Sequence, residues 1–187
     1  MKILVVDDNE THRNAAKAQL GKENEVTVAS EYSEAQKLLG YGDYSLPLAE
    51  RNQHSFDAVL VDLLMPGPQE QQADKWKGSD ETMAAGTFLA VLAGKNGAKL
   101  VGLLTDTDHH HSPASECIDA IQQQEGSPSP FTINEATVVF SNNRNWIGNF
   151  DPNDLGLELK WNDEKGVRAK NWKALLNYLL NLPEANN

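Results

Sequence analysis

The stretch ILVVDDNE (residues 3–10) joins four consecutive apolar residues to two adjacent carboxylates, Asp7 and Asp8. A short run rich in apolar β-branched residues reads as a strand buried on both faces, the kind found in a parallel sheet. Asp7 and Asp8 then stand at its carboxyl end, where two like charges repel unless something stabilises them. The pattern returns in FDAVLVDLL (56–64), where Asp62 closes an apolar run, and in AKLVGLLTD (98–106), which ends in Thr105 and Asp106. Open α/β sheets bind ligands at the carboxyl ends of their strands. If these three strands are neighbours, the acids and the threonine converge on one pocket. A hard divalent cation with oxygen ligands relieves the repulsion there, and Mg²⁺ suits a site that also meets phosphate.

Helical patterns separate these runs. Ala15, Ala16 and Leu20 mark one stripe, ended by Gly21. EVTVAS (25–30) is a second strand, and SEAQKLLG (33–40) a short helix. Met83, Phe88, Leu89 and Leu92 give the apolar positions of a helix before the AKLVGLLTD strand. Ser112 and Pro113 are a cap and first position for another, in which Cys117 reads as a small buried residue. FTINEATVVFSN (131–142) alternates around Asn134-Glu135 like a hairpin. VRAKNWKALLNYLLNL (167–182) reads as a closing amphipathic helix with Trp172, Leu175, Leu176, Leu179 and Leu180 on one side. Strands and helices alternating in this way imply a parallel sheet with right-handed crossovers.

The 187 residues are 40% hydrophobic, enough for one globular domain with insertions. A net charge of −11, with the 16 basic residues scattered, argues against a DNA-binding face. A single cysteine excludes an intrachain disulfide and a cysteine zinc site of the usual spacing. No apolar stretch reaches the roughly 18 residues of a membrane span, and the N-terminus reads as strand and not as a signal peptide. A cytoplasmic protein is expected. His12 and His54 read as surface residues.

ILVVDDNE, VLVDLLMPG (59–67) and LLTD (103–106) together resemble the receiver domain of two-component response regulators. The paired acids, the lone acid followed by Met-Pro-Gly and the strand ending in threonine occur in that family's order, and the likeness covers residues 1 to about 124. It implies a single receiver-like domain over 1–187, with insertions at about 68–85 and 126–155. The implied fold is α/β and flavodoxin-like: a doubly wound parallel five-stranded sheet with helices on both faces and an inserted loop or hairpin. It further implies an aspartyl-phosphate switch rather than an enzyme with an external substrate. Asp62 would accept the phosphoryl group. Asp8, Asp62 and the backbone carbonyl of Leu64 would bind Mg²⁺, with Asp7 holding the metal through water. Thr105 would hydrogen-bond the phosphoryl group. The implied partners are a sensor histidine kinase or phosphotransfer protein and a downstream protein, without DNA or membrane; phosphorylation-linked homodimers also occur in the family. The chain reads as a stand-alone receiver with no output domain.

The family's lysine at the end of the fifth strand is the main departure, because ATVVFSNN (136–143) ends without one. In one reading the 131–143 hairpin is an insertion, LGLEL (155–159) is the fifth strand and Lys160 supplies the cation. In the other, Lys160 is a solvated surface residue and the site lacks its cation, unless Arg144 replaces it. Two function readings from other classes stay open: a pseudo-receiver that binds partners without phosphorylation, and an aspartyl-nucleophile Mg²⁺ phosphohydrolase. Asp106 and His109 to His111 add acid and imidazole beside the acceptor, where the family prefers a small residue after the threonine. Gly86 matches the glycine that opens a helix in ordinary receivers, and Trp76 would anchor the 68–85 insertion.

Overall fold

The chain alternates strand and helix through most of its length. In order these are β1 (Lys2–Val6), α1 (Glu10–Leu20), β2 (Glu25–Ala29), α2 (Tyr32–Leu38), β3 (Ala58–Val61), β4 (Met65–Pro66) and β5 (Thr82–Met83). There follow α3 (Ala85–Lys95), β6 (Leu100–Leu104), α4 (Pro113–Ile121), β7 (Phe131–Ile133), β8 (Ala136–Ser141), β9 (Ile147–Phe150), β10 (Val167–Lys170) and α5 (Trp172–Leu180). This is a computed structural model that describes residues 1–41, 56–67, 82–107, 110, 112–122, 128–151, 153 and 166–182.

The main sheet has six strands in the order β2-β1-β3-β6-β8-β7. Five run parallel, and β7 pairs antiparallel with β8 at one edge. The protein is therefore α/β with a mostly parallel sheet, an architecture compatible with a flavodoxin-like fold. Period-two alternation divides its core in two. Leu4, Val6, Val59, Val61, Val101 and Leu103 face α2, α3 and α4. Ile3, Val5, Leu60, Leu104 and Val139 face α1 and α5.

Local chemistry explains the helix positions. The Asn9 side chain accepts from the Thr11 amide at 2.9 Å and starts α1 directly after the paired acids. Ser112 caps α4, with Pro113 in its first turn. The face that α3 buries is mostly small: Ala85, Gly86, Ala90, Ala93 and Gly94 around Leu89. Phe88, expected in the core, is 59% exposed, because small residues bring the helix close and leave the phenyl ring on the outer side. Leu180, expected on the apolar side of the last helix, turns outward and is 51% exposed.

Three other expectations need correction. The place beside β6 belongs to β8, the second arm of the hairpin that turns at Asn134 (φ 53°), and not to the LGLEL run. Val138, Val139 and Phe140 are all buried, as a central parallel strand requires, so this arm belongs to the sheet. Val167–Lys170 is a strand and not the first turn of the last helix; α5 begins only after Asn171, whose side chain accepts from the Ala174 amide at 3.0 Å. Cys117 is exposed and not buried, since on α4 it is Ser115 and Ile118 that turn inward. Residues 155–160, Trp76 and nearly all of the 68–85 segment lie outside the described residues; at its end, β5 pairs with β4.

Candidate functional site

β1 and β3 run side by side in parallel, with Val6 opposite Val61. The next residues, Asp7 and Asp62, leave their strands at the same level and on the same face. Asp7 is fully buried and Asp62 is 5% exposed. Asp8, one residue on, is exposed. One carboxylate oxygen from each of Asp7, Asp8 and Asp62 lies within 4.8 Å of the others. Leu64 follows two residues after Asp62 in the half-buried turn that leads into β4.

A lysine enters this group from outside the main sheet. β9 and β10 form a two-stranded antiparallel ribbon, with Ile147 opposite Lys170. Lys170 is fully buried, and its ammonium lies 2.7 Å from Asp7 Oδ2 and 2.6 Å from Asp62 Oδ1. The contact to Asp7 is a hydrogen bond; Asp62 Oδ1 is met as an ion pair and receives no well-directed hydrogen bond. Surrounding residues fix both partners. The Asn9 amide donates to Asp7 Oδ1 at 2.9 Å, and Arg13 Nη1 donates to the Asp7 carbonyl at 2.7 Å. The Gln19 amide donates to the Lys170 carbonyl at 3.1 Å, and the ammonium stands 5.4 Å from the centre of the Trp172 ring.

The electrostatics follow from three acids sharing one ammonium. Burial pushes the Asp62 carboxyl up to about 7; Lys170 opposes the shift and Asp7 reinforces it. Burial and the neighbouring Asp7 also raise Asp8. Burial disfavours the Lys170 charge, but Asp62 and Asp7 together outweigh it and hold the ammonium protonated above its ordinary range. With all three acids ionised, three negative charges against one positive leave a surplus of two. The donors are hard oxygens, so the group can hold a divalent cation.

Just past β6, Thr105 is 1% exposed, and its amide donates at 3.1 Å to the carbonyl of Ser141, the last paired residue of β8. Its Oγ1 accepts from the Thr107 amide at 3.2 Å. Asp106 turns toward α1, where its Oδ2 lies 3.4 Å from His12 Nε2. That imidazole contact holds the Asp106 carboxyl down to about 2, against the opposing effect of burial. The opening of α3 also constrains the site. A Cβ on Gly86 would stand 1.7 Å from the Asp62 carbonyl oxygen, and the Gly86 amide donates to the Leu63 carbonyl at 3.1 Å. Only glycine lets α3 pack this closely on the Asp62 turn.

Asp7, Asp8, Asp62 and Thr105 thus all stand at the carboxyl ends of three adjacent strands. Lys160 and His109 and His111 lie outside the described residues. Arg144 opens an exposed 3₁₀ turn before β9. Ser141, at the end of the fifth parallel strand, is buried and accepts from the Asn143 amide at 3.0 Å. The cation beside Asp62 is Lys170, which sequence reasoning placed in a helix. The legible signal was the alternating Val-Arg-Ala-Lys run before the cap residue Asn171. His12, expected on the surface, is 3% exposed, because it faces the ribbon and α5 and its carbonyl accepts from Trp172 Nε1 at 2.9 Å.

No family model matches the chain, and no curated protein matches it in sequence. Among the described residues no helix is long and apolar enough to cross a membrane.

Proposed function

We propose that this protein is a receiver of a two-component phosphorelay, in which Mg²⁺-dependent phosphorylation of Asp62 switches a protein–protein contact surface. The observation that carries the reading is the joint hold of one buried ammonium on Asp7 and Asp62, at 2.7 and 2.6 Å, beside an exposed Asp8. A phosphoacceptor needs a carboxylate with a cation on either side, and this pocket offers a lysine on one and an oxygen cradle on the other.

In this reading Asp62 is the nucleophile that attacks phosphorus. Its turn, pinned beneath Gly86, fixes the direction of attack. Asp8, Asp62 and the Leu64 carbonyl would hold Mg²⁺, with Asp7 acting through water; when bound, the ion neutralises charge on the incoming phosphoryl group. Lys170 pairs with the phosphoryl oxygens once Asp62 is modified. Thr105, on the neighbouring strand, donates its hydroxyl to the same group after giving up its contact with the Thr107 amide. The phosphoryl donor is a sensor histidine kinase or phosphotransfer protein, and the output is a contact with a downstream protein.

The strength of the Lys170 contacts also favours a second reading, a pseudo-receiver in which the ammonium satisfies the acids without metal or phosphate. Tryptophan fluorescence separates the two, since Trp172 lies beside the Lys170 ammonium. A response to millimolar Mg²⁺, enlarged by beryllofluoride and lost in Asp62→Asn, is the receiver result. No response to either addition is the pseudo-receiver result.

A further inference from the structure

Among the described residues, Asp106 is the one acid near the pocket with no part in the reaction proposed above. Period-two alternation places it. Asp7, Asp62 and Asp106 each lie two residues past Val5, Leu60 and Leu104, which all pack on the α1 and α5 face. Val61 is opposite Leu103, so Asp62 is level with Leu104 and Asp106 stands one side-chain row farther out, on the solvent side of the acceptor. Its side chain is 35% exposed, so water reaches it.

The residue is held at both ends. His12 Nε2 meets the carboxylate at 3.4 Å, and Arg168 Nη2 donates to the backbone carbonyl at 3.4 Å. His12 is itself fixed by the bond from Trp172 Nε1 to its carbonyl. Its other ring nitrogen, Nδ1, is buried and has no hydrogen-bond partner among the described residues. A sealed imidazole that leaves one nitrogen unsatisfied is costly. Its position is explained if the nitrogen aimed at Asp106 has a task. The charges also sense one another: Asp106 adds to the upward push on Asp62, and Lys170 helps to hold Asp106 ionised.

We propose that Asp106, oriented by His12, positions the water that hydrolyses a phosphoryl group carried on Asp62, an inference that rests on the phosphoacceptor reading. The water oxygen attacks phosphorus. The bond from phosphorus to the Asp62 oxygen breaks, and its electron pair returns to the Asp62 carboxylate. The water proton passes to Asp106 and from there to the released phosphate. Phosphoryl transfer through a loose transition state leaves the proton on water until late. A weakly basic carboxylate therefore suffices, because its main task is to accept a hydrogen bond and set the line of attack. His12 is a positioning residue: it touches the carboxylate and not the reacting atoms.

The test phosphorylates the full chain with acetyl phosphate and Mg²⁺, removes the donor by rapid desalting and follows loss of the phosphoryl group by intact mass. Asp106→Asn is expected to lengthen the lifetime about 10- to 100-fold, at or below the low end of general-base contributions. His12→Leu is expected to lengthen it nearly as much. His12→Gln, whose amide N–H replaces the imidazole donor, is expected to restore most of the wild-type rate, which a purely structural role would not produce. An unchanged or shortened lifetime in Asp106→Asn overturns the inference, as does equal lengthening in His12→Leu and His12→Gln. A wild-type chain that is phosphorylated but indifferent to these variants overturns this inference alone. A wild-type chain that takes no phosphoryl group overturns the acceptor reading and this inference together.

Discussion

Two lysine–carboxylate contacts in this protein share one length and have opposite surroundings. Lys170 Nζ lies 2.6 Å from Asp62 Oδ1, with side chains 0% and 8% exposed. Lys99 Nζ lies 2.6 Å from Glu135 Oε2, with side chains 64% and 84% exposed. The outer pair joins the approach to β6 to the β7–β8 turn, where water screens it and the side chains lose entropy to meet. The inner pair has no water to replace it. Removing one of its partners leaves a charge in a sealed site, and that is where its energetic weight lies. Equal distances thus describe a surface decoration in one region and a constraint on the whole pocket in the other.

The largest break in this comparison is Lys170→Met. It leaves Asp7 and Asp62 buried without a cation, and urea unfolding should register a loss of about 3–5 kcal/mol. A companion Asp62→Asn change should return part of that loss, because the orphaned charge is gone. Gly86→Ala comes next. The added methyl would stand 1.7 Å from the Asp62 carbonyl oxygen, so α3 or the Asp62 turn must move. A loss of about 1–3 kcal/mol is expected, with weaker Mg²⁺ binding measured by calorimetry.

The pH dependence sharpens the contrast further. Burial raises the Asp62 carboxyl to about 7 in the folded chain, from an ordinary value of 3.8. The folded state therefore binds more protons than the unfolded one between these values. The contribution of this group is fully present below about 4 and is lost as pH rises through about 7. Asp62→Asn should flatten that part of a stability profile, and Mg²⁺ should bind more tightly as pH rises across the same range. Asp106 behaves in the opposite sense: held down to about 2, it contributes above its ordinary value and ceases to as pH falls. The smallest effect belongs to Glu135→Gln, which should leave the unfolding midpoint unmoved because the outer pair is screened.

The acid side of the pocket was legible because its chemistry sits at the ends of apolar runs. Asp7, Asp8, Asp62 and Thr105 each close a strand whose burial is written in its own residues, and adjacent parallel strands bring such ends together. Gly86 was legible through family resemblance, and its reason is the contact with the Asp62 carbonyl. The cation side was only faintly legible. Lys170 is far from Asp62 in sequence, and its one local signal, the alternating Val-Arg-Ala-Lys run before Asn171, is too short to separate a strand from a first helical turn. Its partner residues, Gln19 and Trp172, lie on two separate helices. His12 differs, because it lies on the same helical stripe as Ala16 and Leu20, a local sign of an inward position that the expectation of a surface residue did not use. The ribbon and α5 complete its burial by packing over α1. The fifth parallel strand is marked by the apolar run Val138 to Phe140, whereas the lysine expected at its end comes from a different element, the β9–β10 ribbon.

The most direct measurement is the intact mass of the chain after incubation with acetyl phosphate and Mg²⁺, run beside Asp62→Asn and a metal-free control. The account predicts that the wild type gains one phosphoryl group only with Mg²⁺, and that Asp62→Asn gains none. Equal gain by both chains, gain without the metal, or no gain by the wild type would contradict it.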